Sequence, residues 1–390
     1  LRKPIIGLLA NIYEAGTGIR AGGHLHFIEV VKRWIDVDLV VFAPEMARCD
    51  FTAALPQARF VAMPALPPSA SKAVDFLYRS LAAVVRFREL RRCDALLATS
   101  HLLADITPLV ISGKPVAVIA HHLIGAELGR DARTSSIPML GERLSFWATR
   151  LCDVRAFITS SKLVARELRA IGLKAPIVVS TNGVEHSLDA HPVDISGALR
   201  DGAVYVGRLH PVKNIDDAIR AWRLVVDRFP RARLTIIGAP DTPAYLAELE
   251  KLIVVSKLEG NVTLVGLVDE EAKADALARA KVFLFPSGEE GWGIALAEAM
   301  RAGLPCVTYD LPIFEEIFPI GRLEAPLGDF TTLAMRVIEL LADEPARLRH
   351  AADALKLAET FSWERASHIA AEVFQEMLQR KSIRRGNRHA

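Results

Sequence analysis

Val282-Phe-Leu-Phe-Pro-Ser-Gly-Glu-Glu-Gly-Trp-Gly-Ile-Ala-Leu-Ala-Glu-Ala-Met-Arg-Ala-Gly303 holds a strand, a loop and a helix in direct succession. The apolar run ends at Pro286. A Gly-rich loop carries Glu289 and Glu290. A helix is predicted from about Ile294 to its stop at Gly303. Glycines let backbone N–H groups come close to a ligand, and a helix N-terminus favours anions. Two carboxylates facing a phosphate would repel it. Glu290 in the loop and Glu298 in the helix are better suited to accept hydrogen bonds from sugar or ribose hydroxyls. The plain alternative is one loop acid and one solvated helix acid.

Upstream, Ala203-Val-Tyr-Val-Gly-Arg-Leu-His-Pro-Val-Lys-Asn214 has the same form. A strand runs into Gly207 and Arg208, and Lys213 precedes a helix near Ile215. Two cations in one strand-to-helix loop can neutralise a diphosphate without a metal.

Such units recur along the chain. Strands are expected at Ile5–Ala10, Asp38–Phe42, Arg59–Met63, Ala95–Thr99, Val116–Ala120, Ala156–Thr159 and Ile177–Ser180. After a loop-like stretch from Glu185 to Leu199, five more are expected at Ala203–Val206, Leu234–Ile237, Val262–Val265, Val282–Phe285 and Pro305–Thr308. Helical segments such as Lys72–Arg92, Ile215–Arg228 and Ala244–Ser256 separate them. Strand-helix alternation implies parallel sheets covered on both faces. The expected fold is α/β: two doubly wound, Rossmann-like domains, 1–185 and 186–365, facing across a cleft. Residues 366–390 are read as a terminal helix that can cross back, followed by a basic tail. Ligands bind such folds at the carboxyl ends of strands.

The chain of 390 residues suits two domains, and 51% apolar with 24% charged residues is globular. No apolar run approaches the roughly 18 residues of a membrane span. Leu1-Arg2-Lys3 and the apolar residues after it are read as leading into a strand rather than as a signal peptide, because no small-residue cleavage site follows. Cys49, Cys93, Cys152 and Cys306 are scattered. That argues against a zinc site or a disulfide framework and suits a reducing cytoplasm. Net charge is +2, yet residues 1–190 hold 23 Lys and Arg against 17 Asp and Glu. The first half therefore tolerates an anionic surface better than the second.

These motifs together make the chain resemble the retaining GT-B glycosyltransferases related to glycogen synthase, sucrose synthase and bacterial phosphatidylinositol mannosyltransferases. The hallmark is two glutamates with seven residues between them, matched by Glu290 and Glu298. Val206–Asn214 is similar to the family's phosphate loop, and Ser160-Ser-Lys and Asn182-Gly-Val-Glu185 match two further blocks. The resemblance implies that Gly207, Arg208 and Lys213 hold the donor diphosphate and stabilise the departing nucleotide. It implies that Glu290 faces the transferred sugar near its C3 and C4 hydroxyls, and that Glu298 binds the ribose. Backbone N–H groups of Gly291, Trp292, Gly293 and Ile294 would assist the phosphates. In the first half, Gly22 and Gly23 match the glycine pair where donor phosphate and acceptor meet. His121 matches a histidine touching the transferred sugar, with His122 beside it as the alternative.

The implied donor is a UDP- or GDP-sugar. The implied acceptor is a glycan or a lipid-linked molecule. No cofactor, metal or nucleic acid is called for, and the place of work is the cytoplasm, at the inner membrane face if the acceptor is a lipid. Where the family often has Gly-Gly-x-Pro-Glu, this chain has Asp310-Leu-Pro-Ile-Phe-Glu-Glu, with Glu316 the closer match. Asn11–Arg20 and Leu123–Pro138 match no single acceptor.

Rival signals are weaker. Asp36-Val-Asp38 has a metal-binding pattern without a loop to aim both acids, and Gly16-Thr-Gly18 lacks the third glycine of a dinucleotide fingerprint. A non-catalytic sugar-nucleotide-binding subunit, or a nucleotide-sugar epimerase, could use the same fold. Sugar transfer separates the first, and donor turnover without acceptor separates the second. Lys72–Arg92 is amphipathic, with Val74, Leu77, Leu81, Val84 and Val85 on one side and Arg79, Arg86 and Arg88 elsewhere. It is read either as a helix packed on its own domain or as an attachment to an anionic membrane.

Overall fold

The computed structural model describes residues 2–11, 24–67, 69–121, 123, 136–184 and 200–386. The chain divides into one unit of Leu1–Asn182 with Trp363–Ala390, and a second of Gly183–Ser362. The expected joint near residue 185 thus falls slightly earlier, at 182/183. The terminal helix is part of the first unit.

In the first unit the strands are β1 Ile5–Leu9, β2 Asp38–Pro44, β3 Arg59–Met63, β4 Ala95–Ala98, β5 Pro115–Ile119, β6 Asp153–Thr159 and β7 Ile177–Val179. They form a parallel sheet in the order β3-β2-β1-β4-β5-β6-β7. Its helices are α1 His24–Val31, α2 Arg48–Ala54, α3 Lys72–Ala82, α4 Phe87–Arg92, α5 Leu103–Ser112, α6 Ser136–Thr149 and α7 Lys162–Ala170. Central strands such as β4 and β5 are buried along their whole length, as a sheet covered on both faces requires. Ser161, in one of the family-like blocks, caps α7 by accepting from the Val164 N–H at 3.1 Å.

The second unit holds β8 Ala203–Val206, β9 Leu234–Ile237, β10 Val262–Gly266, β11 Val282–Phe285, β12 Cys306–Tyr309 and β13 Arg322–Ala325. Their order is β10-β9-β8-β11-β12-β13, again parallel. Its helices are α8 Ile215–Arg228, α9 Pro243–Val255, α10 Glu270–Arg279, α11 Ile294–Arg301, α12 Pro312–Ile317, α13 Phe330–Ala342 and α14 Glu344–Ala358. The expected strands are present. β13 was not foreseen, because Arg-Leu-Glu-Ala at a sheet edge has no apolar run.

The last helix, α15 Trp363–Gly386, packs against α1 and the β4–β6 face of the first unit. Ser367 Oγ donates to the Val30 carbonyl at 2.9 Å, and Trp34 stacks at a tilt on Phe374. Among the described residues no helix is long and apolar enough to cross a membrane.

Lys72–Arg92 is not one helix but α3, a 3-10 turn over Ala83–Arg86, and α4. Its polarity is reversed relative to a helix packed on its own domain. Val74, Leu77, Tyr78, Leu81, Val84 and Val85 are exposed, whereas Arg79 and Ser80 are buried. Arg79 turns inward because it is satisfied there. It pairs with Asp75 and donates to the Asn11 carbonyl at 3.0 Å.

Candidate active site

In both sheets the strand order reverses once, between β1 and β4 and between β8 and β11. At such a point neighbouring connections leave in opposite directions and open a crevice at the strands' carboxyl ends. The loops after β8 and β11 are the two singled out by sequence.

These two loops are sewn together. The Gly288 N–H donates to the Val212 carbonyl at 2.9 Å, and Asn214 Nδ2 donates to the Pro286 carbonyl at 3.1 Å. Asn214 lies in the left-handed region at φ 48°, between the short 3-10 turn Pro211–Lys213 and α8. Lys213 Nζ then crosses to the other loop. It donates to the Glu289 carbonyl at 2.8 Å and to Glu290 Oε1 at 2.7 Å. Both side chains of this pair are largely buried. The sequence marked Lys213 and Glu290 separately, and the structure places them in contact.

Arg208 is different. Its side chain is 60% exposed, and its closest carboxylate is Asp241 at 3.6 Å. It thus lies at the rim as an accessible cation. His210 Nδ1 accepts from the Val212 N–H at 3.1 Å, while burial and the Arg208 charge hold the ring below its usual range. The loop can pass here because Gly207 has no Cβ: one would lie 2.6 Å from Tyr205 Oη. A Cβ on Gly238, at the end of β9, would lie 1.8 Å from the Gly207 carbonyl oxygen. Gly238 is therefore required by the backbone of residue 207, and Gly207 by the Tyr205 ring.

Glu298, one turn into α11, accepts from Lys273 Nζ at 2.9 Å. Burial alone would lower the Lys273 ammonium, but Glu298 and Glu270 together hold it above its usual range. Gly291, Trp292, Gly293 and Ile294 form the entry to α11. The Trp292 side chain is buried edge-on against Phe318 and Phe361, with ring centroids 5.4 and 5.0 Å away. Its indole is therefore a core anchor, and only its backbone remains for the loop. Gly293 takes φ 105°, with Phe314 and Phe318 packed where a Cβ would project.

In the first unit, Gly22, Gly23 and His122 lie outside the described residues. His121 lies two residues beyond β5, and His26 of α1 meets it edge-on at 5.8 Å. His26 went unnoticed in the sequence, where a lone histidine in a helix carries no signal. Its Nδ1 lies 2.5 Å from Asn182 Oδ1. A carboxamide oxygen only accepts, so Nδ1 carries the proton. Burial pushes the ring down from 6.5 to about 4. A second unforeseen group is Asp105, which accepts from the Asn11 N–H at 2.7 Å and from Ser100 Oγ at 2.8 Å. Burial pushes its carboxyl up to about 7.

His26 makes a testable contribution to stability. The unfolded ring titrates near 6.5 and the folded one near 4. The unfolded state binds more protons between these values, so stability is fully present above the higher one and lost as pH falls through the lower. The expected loss is about 3 kcal/mol. Urea denaturation from neutral pH down to pH 4 measures it, with His26→Gln flattening the decline. The same decline in both proteins overturns this assignment.

The family described as Glycosyl transferases group 1 matches residues 201–356. The chain is 30% identical over 219 residues to a phosphatidyl-myo-inositol mannosyltransferase of Mycolicibacterium smegmatis, covering 54% of each protein. It is 30% identical over 213 residues to a poly(glycerol-phosphate) alpha-glucosyltransferase of Bacillus subtilis, covering 54% of this chain and 31% of that protein. The chain spans about half the length of the mannosyltransferases it matches. Among solved structures, sucrose-phosphate synthase from Thermosynechococcus elongatus superposes with a TM-score of 0.79 at 17% identity, covering 96% of this chain and 99% of that one. HepE from Anabaena, in complex with UDP and glucose, gives 0.77 at 18% identity, covering 96% and 100%. The fold is GT-B. The matched region, residues 201–356, contains both sewn loops, Lys213, Glu290 and Glu298.

Proposed function

We propose that the chain is a retaining, metal-independent glycosyltransferase that moves a hexose-type sugar from a UDP- or GDP-sugar to a lipid-linked or glycan acceptor. The observation that carries this is the Lys213–Glu290 contact at the β8/β11 switch point. It puts a cation for phosphate and a carboxylate for hydroxyls side by side, the two functions a nucleotide-sugar requires. Arg208 and Lys213 neutralise the diphosphate, and they stabilise the charge that develops as the glycosidic bond breaks. The N–H groups of Gly291 to Ile294 add to this at the start of α11. Glu290 accepts from the sugar's hydroxyls and Glu298 from the ribose, and His121 is assigned to the transferred sugar. The acceptor hydroxyl attacks from the face the nucleotide leaves. The departing phosphate takes its proton, so the anomeric configuration is retained.

For a lipid-linked acceptor, the exposed apolar stripe of α3 is the membrane contact. Leu77 and Leu81 are 62% and 66% exposed, and such a stripe in a helix with a basic continuation suits an anionic surface.

A thermal-shift screen of UDP- and GDP-sugars tests the donor. One at 100 times its Kd should stabilise the protein by about 2.7 kcal/mol, and the same donor should yield product with its anomeric configuration kept. Transfer should persist in excess chelator, since the cations already neutralise the phosphates. Loss on chelation, restored by magnesium or manganese, would return attention to Asp36 and Asp38. No stabilisation and no turnover with any donor would overturn the whole assignment.

A further inference from the structure

From the structure we infer that α6, Ser136–Thr149, is a second membrane anchor, working beside α3 on an anionic lipid surface. It rests on the membrane-facing acceptor proposed above, but on different residues. Leu140, Leu144, Trp147 and Leu151 are all exposed, Trp147 at 57%. At about 100° per residue Leu140, Leu144 and Trp147 fall within a stripe of about 60°, and Leu151 follows in the turn after the helix. The opposite side is buried: Glu142, Ser145, Phe146, Ala148 and Thr149.

α3 and α6 present their stripes to the same side. The connections leaving β3, β4 and β5 all step in one direction along the sheet order, so right-handed crossovers place α3, α5 and α6 on one face. Both α3 and α6 pack against α5, which has no exposed residue. Outward-pointing side chains on the flanking helices therefore leave the sheet in the same direction.

Charge selects the occupant. The acids on these segments are engaged internally: Asp75 with Arg79, Glu89 with Arg86 at 3.7 Å, and Glu142 with His101 at 2.9 Å. Among the described side chains of these segments the exposed charges are Arg88, Arg91, Arg92, Arg143 and Arg150. Arg143 and Arg150 border the α6 stripe on one flank. An apolar stripe with a tryptophan at its centre and arginines at its border matches the boundary between acyl chains and anionic headgroups. A second copy of this chain would bring the same cations together and be repelled.

Trp147 also supplies the readout. Of the five tryptophans it is the exposed one, since Trp34, Trp222, Trp292 and Trp363 are buried. The full chain is mixed with phosphatidylcholine vesicles, with and without phosphatidylglycerol. With phosphatidylglycerol, tryptophan emission should shift to the blue and be quenched by brominated lipid. Trp147→Phe should abolish the spectral change while the protein still sediments with vesicles. Leu144→Glu should weaken sedimentation on the order of tenfold or more while nucleoside-diphosphate binding is unchanged. Vesicle binding that depends on Leu77 and Leu81 but leaves Trp147 emission unchanged overturns the inference. So does equal binding to neutral vesicles, or none to either. So does a dimer in buffer that Leu144→Glu dissociates. In each case nucleotide binding is still measurable, so failure here is distinct from failure of the donor assignment.

Discussion

Lys213→Ala should lower sugar transfer by about two to three orders of magnitude while the fold survives. Two losses combine. The ammonium no longer meets the developing charge on the leaving diphosphate, an electrostatic contribution on the order of 3–4 kcal/mol at comparable sites. In addition, Glu290 keeps its carboxylate, largely buried and without the 2.7 Å contact that compensated it. A carboxylate left so close to a bound diphosphate repels it. This second part is separable. Pairing Lys213→Ala with Glu290→Gln removes the stranded charge, so the double variant should bind nucleoside diphosphate better than Lys213→Ala alone. The coupling between neighbours in contact is expected at about 0.5–3 kcal/mol. Arg208→Ala should do less to the resting site, because Arg208 is exposed and 3.6 Å from its closest carboxylate. It should still depress turnover with the full donor, by roughly tenfold or more per lost charge-assisted bond. Initial rates with the best donor and calorimetry with the bare nucleotide decide these points. Additive single effects would mean that Lys213 and Glu290 act independently.

The second large effect divides Glu298 from Glu290. Glu298→Ala should weaken bare nucleoside diphosphate and full donor alike, by about 1–3 kcal/mol for a polar contact left unmade. Lys273 complicates this helpfully. It holds Glu298 at 2.9 Å and retains Glu270 when Glu298 is removed, so the variant should not strand a buried ammonium. Glu298→Ala should therefore lose affinity with little loss of stability. Glu290→Ala should leave bare nucleotide affinity no weaker than wild type, because it frees Lys213 for the phosphates, while it lowers the rate of transfer and blurs the choice between sugars. The contact of Glu290 with the sugar cannot change the affinity of a ligand that lacks the sugar. It affects the rate only if it strengthens as the bond breaks. If both variants lose nucleotide affinity equally and keep the same residual rate, the two carboxylates do not have separate jobs.

The strands of the core were readable because a sheet covered on both faces requires runs that are apolar throughout, and β4, β5 and β11 are such runs. β13 was not, since an edge strand of Arg322-Leu-Glu-Ala325 draws its pairing from its neighbour and not from its own composition. The loops at the site were legible because crowding leaves only glycine, as at Gly207 beneath the Tyr205 hydroxyl, and that restriction is written in the residue itself.

The sequence by itself determined the residue types and their spacing: the glutamates at 290 and 298, the cations at 208 and 213, and the alternation that demands two parallel sheets. Tertiary structure decided which of them meet and which way they turn. Lys213 and Glu290 are 77 positions apart, and only the adjacency of β8 and β11 brings them together. Trp292 looked like part of the loop, yet its indole fills space between Phe318 and Phe361. Periodicity showed that α3 has an apolar side, but not that this side points outward. The Asn11 carbonyl and Asp75 settled that by satisfying Arg79 inside. Spacing along a helix fixes which residues share a face. The partners waiting on the rest of the fold fix which face is buried.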